Sequence, residues 1–393
     1  MINRPDYIAA IEPFIDKPLV KILAGIRRCG KSTIFEMLRE ELLRRGIGED
    51  QIICKRYTEM DIPENITAKQ MYDELTAAMA GKGHCYLLLD EIQEITGWEK
   101  AVNSLLESAD ADIYVTGSNS KLMSSEISTY LTGRYVSIPV YTLSFKEYLD
   151  FKADSTLSRR ELLEEYIRFG GFPIVALSEY DEQSAYQIVN GIYHTVVSRD
   201  IVKRHRINKQ DLFDRVVKYI IENMGKTFSA NSISTFLKSE HRKVSVESIY
   251  NYLRWLEQAF IIYPCERYDL QGKSILKTQE KYYLADVSLK YALLGYNRKM
   301  LDGAMENIVY LELKRRGYDV YIGKNDTKEI DFVATRRDER IYVQVCVRIP
   351  EASDREVGNL MEIRDHYPKY VVTLNEMDTG IEDGIRIVHL ADF

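Results

Sequence analysis

Residues Gly25-Ile-Arg-Arg-Cys-Gly-Lys-Ser32 set two glycines, a lysine and a hydroxyl at offsets that can wrap a polyphosphate. Gly25 and Gly30 let the backbone turn and approach an anion closely. Lys31 reaches the β- and γ-phosphates, and Ser32 offers a hydroxyl to Mg²⁺. Arg28 inside the loop and Thr33 just after it are further candidate nucleotide contacts; Arg27 and Arg28 can equally pair with nearby acids. A second stretch, Cys85-Tyr-Leu-Leu-Leu-Asp90-Glu91, is an apolar run ending in two carboxylates. Asp90 is the candidate metal-shell acid beside Ser32, and Glu91 the candidate base that polarises the water attacking a γ-phosphate. A third, Ile113-Tyr-Val-Thr116-Gly-Ser-Asn119, carries polar residues to a strand tip. Asn119, with Thr116 and Ser118, is a candidate to hold that water or the phosphate; ordinary turn chemistry is the alternative. Arg134 is a candidate arginine finger and Arg199 a second, although either also reads as an ordinary surface arginine. Together these residues imply ATP and Mg²⁺ as cofactors and hydrolysis as the reaction, with Lys31, Glu91, Asn119 and Arg134 as the catalytic set.

Such groups need a rigid frame. Leu19–Ala24 is a β-prone run, and Thr33–Arg45 has helical spacing with Ile34, Leu38 and Leu42 on one face and Gly46 as a stop. Strand, loop and helix are the context in which a P-loop works. Further strands are expected at Ile52–Tyr57, Cys85–Asp90, Ile113–Thr116 and Tyr135–Val140, with helices between them. That alternation implies an α/β domain with a mainly parallel sheet. Helical texture follows, broken at Gly170-Gly171-Phe172-Pro173. From about residue 280 the pattern is mixed α+β, with a helix near Met305–Arg316 and strands at Val320–Ile322, Ile330–Thr335 and Ile341–Val347.

The bulk composition fits this picture. The chain has 393 residues, 45% of them hydrophobic and 29% charged, and a net charge of −7. That is the balance of a globular protein of several domains. No apolar run is long enough for a membrane span, no apolar core follows Met1, and the five cysteines show no paired spacing. A cytoplasmic protein without a membrane partner is the expectation. Charge is uneven: between Ile201 and Lys281, fifteen Lys and Arg stand against nine Asp and Glu. A locally basic middle permits a DNA contact.

Two further segments carry chemistry. Phe228–Leu237 and Ser245–Leu256 read as helix–turn–helix, with Ser229 or Asn231 capping the first helix and Ser245 the second. Ile249, Leu253 and Leu256 form a buried stripe, and Ser248, Asn251, Tyr252 and Arg254 would face a groove. In the last third, Glu306 on a helix, Asp331 at a strand start and Gln344 on the next strand resemble the PD-(D/E)xK nuclease core, where such residues hold Mg²⁺ and activate water. Cys346 stands at the lysine position. A neutral thiol cannot stabilise developing negative charge. The site is therefore read as degenerate and its domain as a binding module, unless Lys314, Lys324 or Arg348 substitutes in space.

Leu89-Asp-Glu-Ile-Gln93, Leu131-Thr-Gly-Arg134, Leu143-Ser-Phe-Lys-Glu-Tyr148, Phe169-Gly-Gly-Phe-Pro173, Tyr282-Tyr-Leu-Ala-Asp286 and Glu329-Ile-Asp-Phe332 join the P-loop in a wider similarity. The chain resembles predicted prokaryotic AAA+-type ATPases with a C-terminal domain of unknown function. The resemblance implies a RecA-like core over 1–145, a helical lid over 146–206, a winged helix over 207–280 and a restriction-endonuclease-like α+β domain over 281–393. The intact Asp90-Glu91 pair favours turnover and Cys346 argues against a working nuclease, so a nucleotide-driven switch with a DNA or protein partner is the expectation. The alternatives are an ATP-dependent nuclease and a non-hydrolysing DNA-binding adaptor. Monomer and homo-oligomer both stay open.

Overall fold

A computed structural model describes residues 2–58, 66–123, 125–207, 209–239, 241–242, 244–297, 300–349 and 355–393. The chain divides into two units: Met1–Thr142 with Gln258–Phe260, and Leu143–Glu257 with Ile261–Phe393.

In the first unit, β1 (Val20–Ala24) leads through the glycine loop into α2 (Lys31–Arg44), after a short α1 (Pro5–Ile11). There follow β2 (Ile52–Arg56), α3 (Ala68–Met79), β3 (Cys85–Asp90), α4 (Trp98–Ser108), β4 (Ala111–Gly117), α5 (Ser125–Tyr130) and β5 (Tyr135–Pro139). All five strands are parallel, in the order β2-β3-β4-β1-β5. β1 and β3 are buried along their whole length, which is why both read as near-continuous apolar runs. The five strands expected in this unit agree with those found to within two residues at each end. The stripe Ile34, Leu38 and Leu42 on α2 is fully buried, and Gly46 after it takes a positive φ of 87°.

The strand order decides where the chemistry sits. β4 lies between β1 and β3, pairing Ala24 with Gly117 and Leu89 with Val115. The tip of β4 therefore falls between the glycine loop and the two acids. Gly25 is required here by packing as much as by its turn. A Cβ on it would fall well inside van der Waals contact of the Val140 carbonyl oxygen.

The second unit begins with α6 (Phe145–Phe151), α7 (Arg159–Phe169), α8 (Pro173–Ala176) and α9 (Glu182–Val196), which runs on as a π-helical stretch over Val197–Lys203. Three helices follow, α10 (Gln210–Glu222), α11 (Ala230–Ser239) and α12 (Val246–Gln258), then β6 (Ile262–Asp269), β7 (Ser274–Leu284) and α13 (Ser288–Leu294). The last part runs α14 (Leu301–Arg315), β8 (Asp319–Asn325), β9 (Lys328–Arg336), β10 (Glu339–Cys346), α15 (Arg355–Met361), β11 (Lys369–Thr373), β12 (Gly380–Glu382) and β13 (Ile385–His389). One eight-stranded sheet, β12-β13-β11-β10-β9-β8-β6-β7, carries all of its strands. The boundary expected at 280/281 falls inside β7, and the sheet continues across it. The break expected at 145/146 falls three residues later than the division between the units.

Three sequence stretches singled out above meet inside this unit. Gly171 N–H donates to Asp286 (2.8 Å), Leu143 N–H donates to the Gly171 carbonyl (2.7 Å), and Tyr166 OH donates to the Leu143 carbonyl (2.8 Å). Side chains on Gly170 or Gly171 would strike Asp286 and the Leu143 backbone. The caps expected at the starts of α11 and α12 form: Ser232 N–H bonds Ser229 Oγ (3.2 Å) and Ser248 N–H bonds Ser245 Oγ (3.0 Å). Tyr252, expected to face a groove, is instead buried edge-on against Phe213, 5.2 Å between ring centres. It sits one turn from Ile249 and Leu256 and belongs to their stripe.

One charge inside the first sheet carries a cost. Lys21 on β1 is fully buried, and its ammonium bonds the Asp112 carboxylate and the Lys17 carbonyl (2.9 Å). Burial pulls Lys21 below the ordinary lysine value, and Asp112 opposes that pull. Asp112→Ala should cost about 3–5 kcal/mol at neutral pH, because it strands a buried cation. The unfolded variant then binds more protons than the folded one, so part of the loss should return as pH rises toward the lysine range. Urea melts at pH 7 and 9 check both the size and the sign.

Candidate functional site

The first site forms where β1, β3 and β4 end. Arg28 and Gly30 take positive φ, 67° and 102°, and turn the loop into the first helical residue, Lys31. Lys31 is buried; its Nζ donates to the carbonyls of Gly25 (3.0 Å) and Ile26 (3.2 Å) and lies 3.7 Å from Glu91 Oε1. Ser32 Oγ donates to Asp90 Oδ2 (2.7 Å), so the hydroxyl and the acid expected to share Mg²⁺ are adjacent. Thr33 is half-buried in the next position, and Arg28 is exposed.

Thr116 ties the acids together. Its hydroxyl donates to Asp90 Oδ1 and accepts from the Glu91 N–H (3.1 Å). Glu91 itself holds φ at 56°, a left-handed conformation uncommon for a side-chain-bearing residue and frequent where strain serves a site. Its carboxylate accepts from Gln93 and from Ser118 Oγ (3.2 Å) and lies 3.9 Å from Arg27. Burial alone would raise the Glu91 carboxyl. Lys31 and Arg27, helped by the Gln93 and Ser118 hydrogen bonds, outweigh it and hold the group below the ordinary carboxylate range. The Glu91 carboxylate is thus ionised and aimed by four neighbours.

Asn119 is buried at the β4 tip, and its Oδ1 accepts from the Lys121 N–H (2.9 Å), which is turn chemistry. Arg134 is not brought to this group. Its carbonyl accepts from Val20 N–H (3.0 Å) at the start of β1, whereas the glycine loop follows the end of that strand. Five residues of strand separate the two, roughly 16 Å. The Arg134 guanidinium bonds Asn103 (2.9 Å) and Glu107 (2.7 Å). Arg199 lies on the π-helical stretch of the second unit and is exposed.

Three residues here were not singled out for the chemistry. Arg56, at the end of β2, donates to Asp90 Oδ2 (3.1 Å). Gln93 orients Glu91; a cue was present in its place two residues after that acid. Arg4 is buried and donates to the carbonyls of Cys29 (2.8 Å), Tyr141 (3.0 Å) and Thr142 (3.5 Å). It pins the glycine loop to the segment through which the chain leaves β5. Nothing in its sequence spacing announces this.

The acids of the last third also come together. Glu306 on α14 accepts at Oε2 from Tyr283 OH (3.0 Å) and Lys281 Nζ (3.3 Å), and Lys281 also bonds Glu329 Oε1 (2.9 Å). Asp331 on β9 accepts at Oδ2 from Val345 N–H (2.8 Å). Gln344 is spent on positioning: its Oε1 accepts from Asp331 N–H (2.6 Å) and its Nε2 donates to Glu356 (2.8 Å). Cys346 is buried, and burial pushes its thiol up to about 12. The lysine beside these acids is Lys281, contributed by β7. Burial raises Glu306 and, with Glu306 beside it, Asp331; burial lowers Lys281, but Glu306, Asp331 and Glu329 together raise it.

Residues 17–149 match the family model of an AAA domain, and residues 160–299 match a domain of unknown function, DUF8612. An uncharacterised protein of Haemophilus influenzae is 37% identical over 396 residues, covering 100% of this chain and 98% of its own. The uncharacterised protein MJ1544 of Methanocaldococcus jannaschii is 32% identical over 354 residues, 86% of this chain and 77% of its own. Among solved structures, the Walker-type ATPase PABY2304 of Pyrococcus abyssi shares the fold with a TM-score of 0.53 at 15% identity, over 75% of this chain and 96% of that one. An α/β core of the P-loop ATPase type, with a parallel central sheet, agrees with the AAA-domain match and with the shared fold. Among the described residues, no helix is long and apolar enough to cross a membrane.

The Thr116 hydroxyl is the pivot of the first site. Thr116→Val keeps the shape and removes the bridge between Asp90 and the Glu91 N–H. It should cost about 1–3 kcal/mol of stability and weaken Mg²⁺-dependent nucleotide binding. Thermal unfolding and binding of a fluorescent ATP analogue with and without Mg²⁺ measure the two effects.

Proposed function

We propose that this chain, which belongs to one family with its Haemophilus influenzae and Methanocaldococcus jannaschii relatives and carries an AAA domain, is a Mg²⁺-dependent ATP hydrolase acting as a nucleotide-driven switch. The observation that carries the reading is the convergence of Lys31, Ser32, Asp90, Thr116 and Glu91 at the ends of three adjacent strands.

In this reading the backbone of Gly25–Ser32 binds the phosphates, and the N-terminus of α2 adds its positive end. Lys31 exchanges its bonds to the Gly25 and Ile26 carbonyls for phosphate oxygens. Ser32 and Asp90 fit a hard cation, since both present oxygen and already lie 2.7 Å apart. When bound there, Mg²⁺ supplies neutralisation of phosphate charge. Glu91 takes the proton from the attacking water at its carboxylate, which Gln93 and Ser118 orient and Arg27 keeps ionised. Asn119 is the candidate to contact the γ-phosphate from the β4 tip. Arg134 has no part in this same-chain chemistry.

The switch reading draws support from Arg4, whose guanidinium spans the glycine loop and residues 141–142. A loop that shifts around a nucleotide pulls on the chain where it leaves β5. In the second unit, α10–α12 followed by the β6–β7 hairpin supports a winged-helix module. The run α14-β8-β9-β10-α15-β11 supports a nuclease-like one. Both serve to bind DNA or a protein partner.

Lys31→Ala should lower ATP affinity by at least about tenfold, since it removes a charge-assisted phosphate contact. Unchanged affinity of the fluorescent analogue would refute the assignment. Adding duplex DNA to hydrolysis assays distinguishes the partners: stimulation points to DNA, and indifference to protein.

A further inference from the structure

Arg56 is the cation beside the first site to which the hydrolysis scheme gives no part. It ends β2, the edge strand of the five-stranded sheet, and stands opposite Asp90 in the register with β3. Residues paired across a sheet share a face, so its side chain runs along the Asp90 carboxylate. There its Nε donates to Asp90 Oδ2 (3.1 Å). Ser32 Oγ donates to that same oxygen, and the Thr116 hydroxyl donates to Oδ1.

A carboxylate oxygen has lone pairs for about two donors. Oδ2 therefore has both filled, one by the hydroxyl expected to share a metal ion with it and one by a guanidinium. A divalent cation, or a water in its shell, gains Oδ2 only if a donor leaves. Ser32 is itself an expected ligand of that cation and stays. Arg56 carries a positive charge of its own, and two cations around one oxygen repel. Arg56 is the donor that has to yield.

The guanidinium has both room and a destination. Its side chain is 44% exposed, against 6% for Asp90, so packing does not lock the long stem. Beside it lies a cavity of about 110 Å³ that Glu36 of α2 also lines. Glu36 is exposed, and among the described residues no hydrogen bond or ion pair reaches its carboxylate. The partner that helical spacing offers it, Arg39, is taken by Glu49. Lys55, which lines the cavity too, is taken by Glu74. An open acid and a displaceable guanidinium thus border one small space.

We propose that Arg56 guards the metal position of the first site: it holds Asp90 Oδ2, yields that oxygen when a divalent cation binds with the nucleotide, and moves to Glu36. The proposal rests on the reading of this site as Mg²⁺-dependent. Arg56 then sets how much Mg²⁺ the site needs. It acts through Asp90, as a positioning residue, and takes no part in bond breaking.

The test follows binding of a fluorescent ATP analogue to the full chain across a Mg²⁺ titration. Arg56→Ala should lower the Mg²⁺ concentration at half-effect roughly tenfold or more, because the competing charge is gone. Arg56→Lys, which keeps that charge, should stay near wild type. Glu36→Gln should raise the midpoint by roughly two- to fivefold, since the displaced guanidinium loses an exposed partner. In the Arg56→Ala background the Glu36 change should have no effect. A role confined to holding Asp90 in place would instead move the Arg56→Ala midpoint upward. A midpoint unchanged or raised in Arg56→Ala, or unmoved in Glu36→Gln, overturns the proposal. Lys31→Ala separates the two levels. Analogue binding that ignores Lys31 overturns the ATPase reading and this proposal with it, whereas Lys31-dependent binding with an unmoved Arg56→Ala midpoint overturns this proposal alone.

Discussion

The Thr116 hydroxyl, donating to Asp90 and accepting from the Glu91 N–H, is the contact on which the first site depends. It joins the tips of β3 and β4. Neither acid could be placed by β3 alone, because a strand end is free to turn. The left-handed backbone at Glu91 is held by this bond, and the carboxylate then falls among Gln93, Ser118, Lys31 and Arg27. The strand order makes the contact possible: with β4 between β1 and β3, the polar tip of β4 lies beside both the glycine loop and the acids.

The second unit depends on a comparable junction. Asp286 receives the Gly171 N–H, and Gly171 in turn pairs with Leu143, so three stretches spread over more than a hundred residues meet around one buried acid. The glycines there are required by contact: side chains would fill the space that Asp286 and the Leu143 backbone occupy. The hairpin β6–β7 extends the sheet beyond β8, and β7 brings Lys281 to Glu306 and Glu329.

The P-loop, the acids of β3 and the polar tip of β4 were legible because each is a short, covalently fixed pattern whose function needs those offsets. The parallel sheet was legible because strands buried on both faces read as apolar runs. Arg4, Arg56 and Lys281 were not, since each acts through partners distant in sequence and none sits in a spacing of its own. Tyr252 misled because a tyrosine on an amphipathic helix suits either face, and Phe213 on α10 decides which. Cys346 carries no ammonium; the lysine paired with Glu306 and Glu329 comes from β7, which only the sheet order reveals. Arg134 lies at the opposite end of β1 from the glycine loop of its own chain, which leaves open the reading of it as a finger for the site of a second subunit.

The central claim is that Glu91 is the base of an ATP-hydrolysing site built by the β4 tip. Steady-state hydrolysis by wild type and Glu91→Gln, alongside ATP affinity, tests it most directly. The account predicts Mg²⁺-dependent turnover in the wild type and a fall of roughly 10²-fold or more in the variant, with ATP affinity retained. Hydrolysis in Glu91→Gln at the wild-type rate would contradict it.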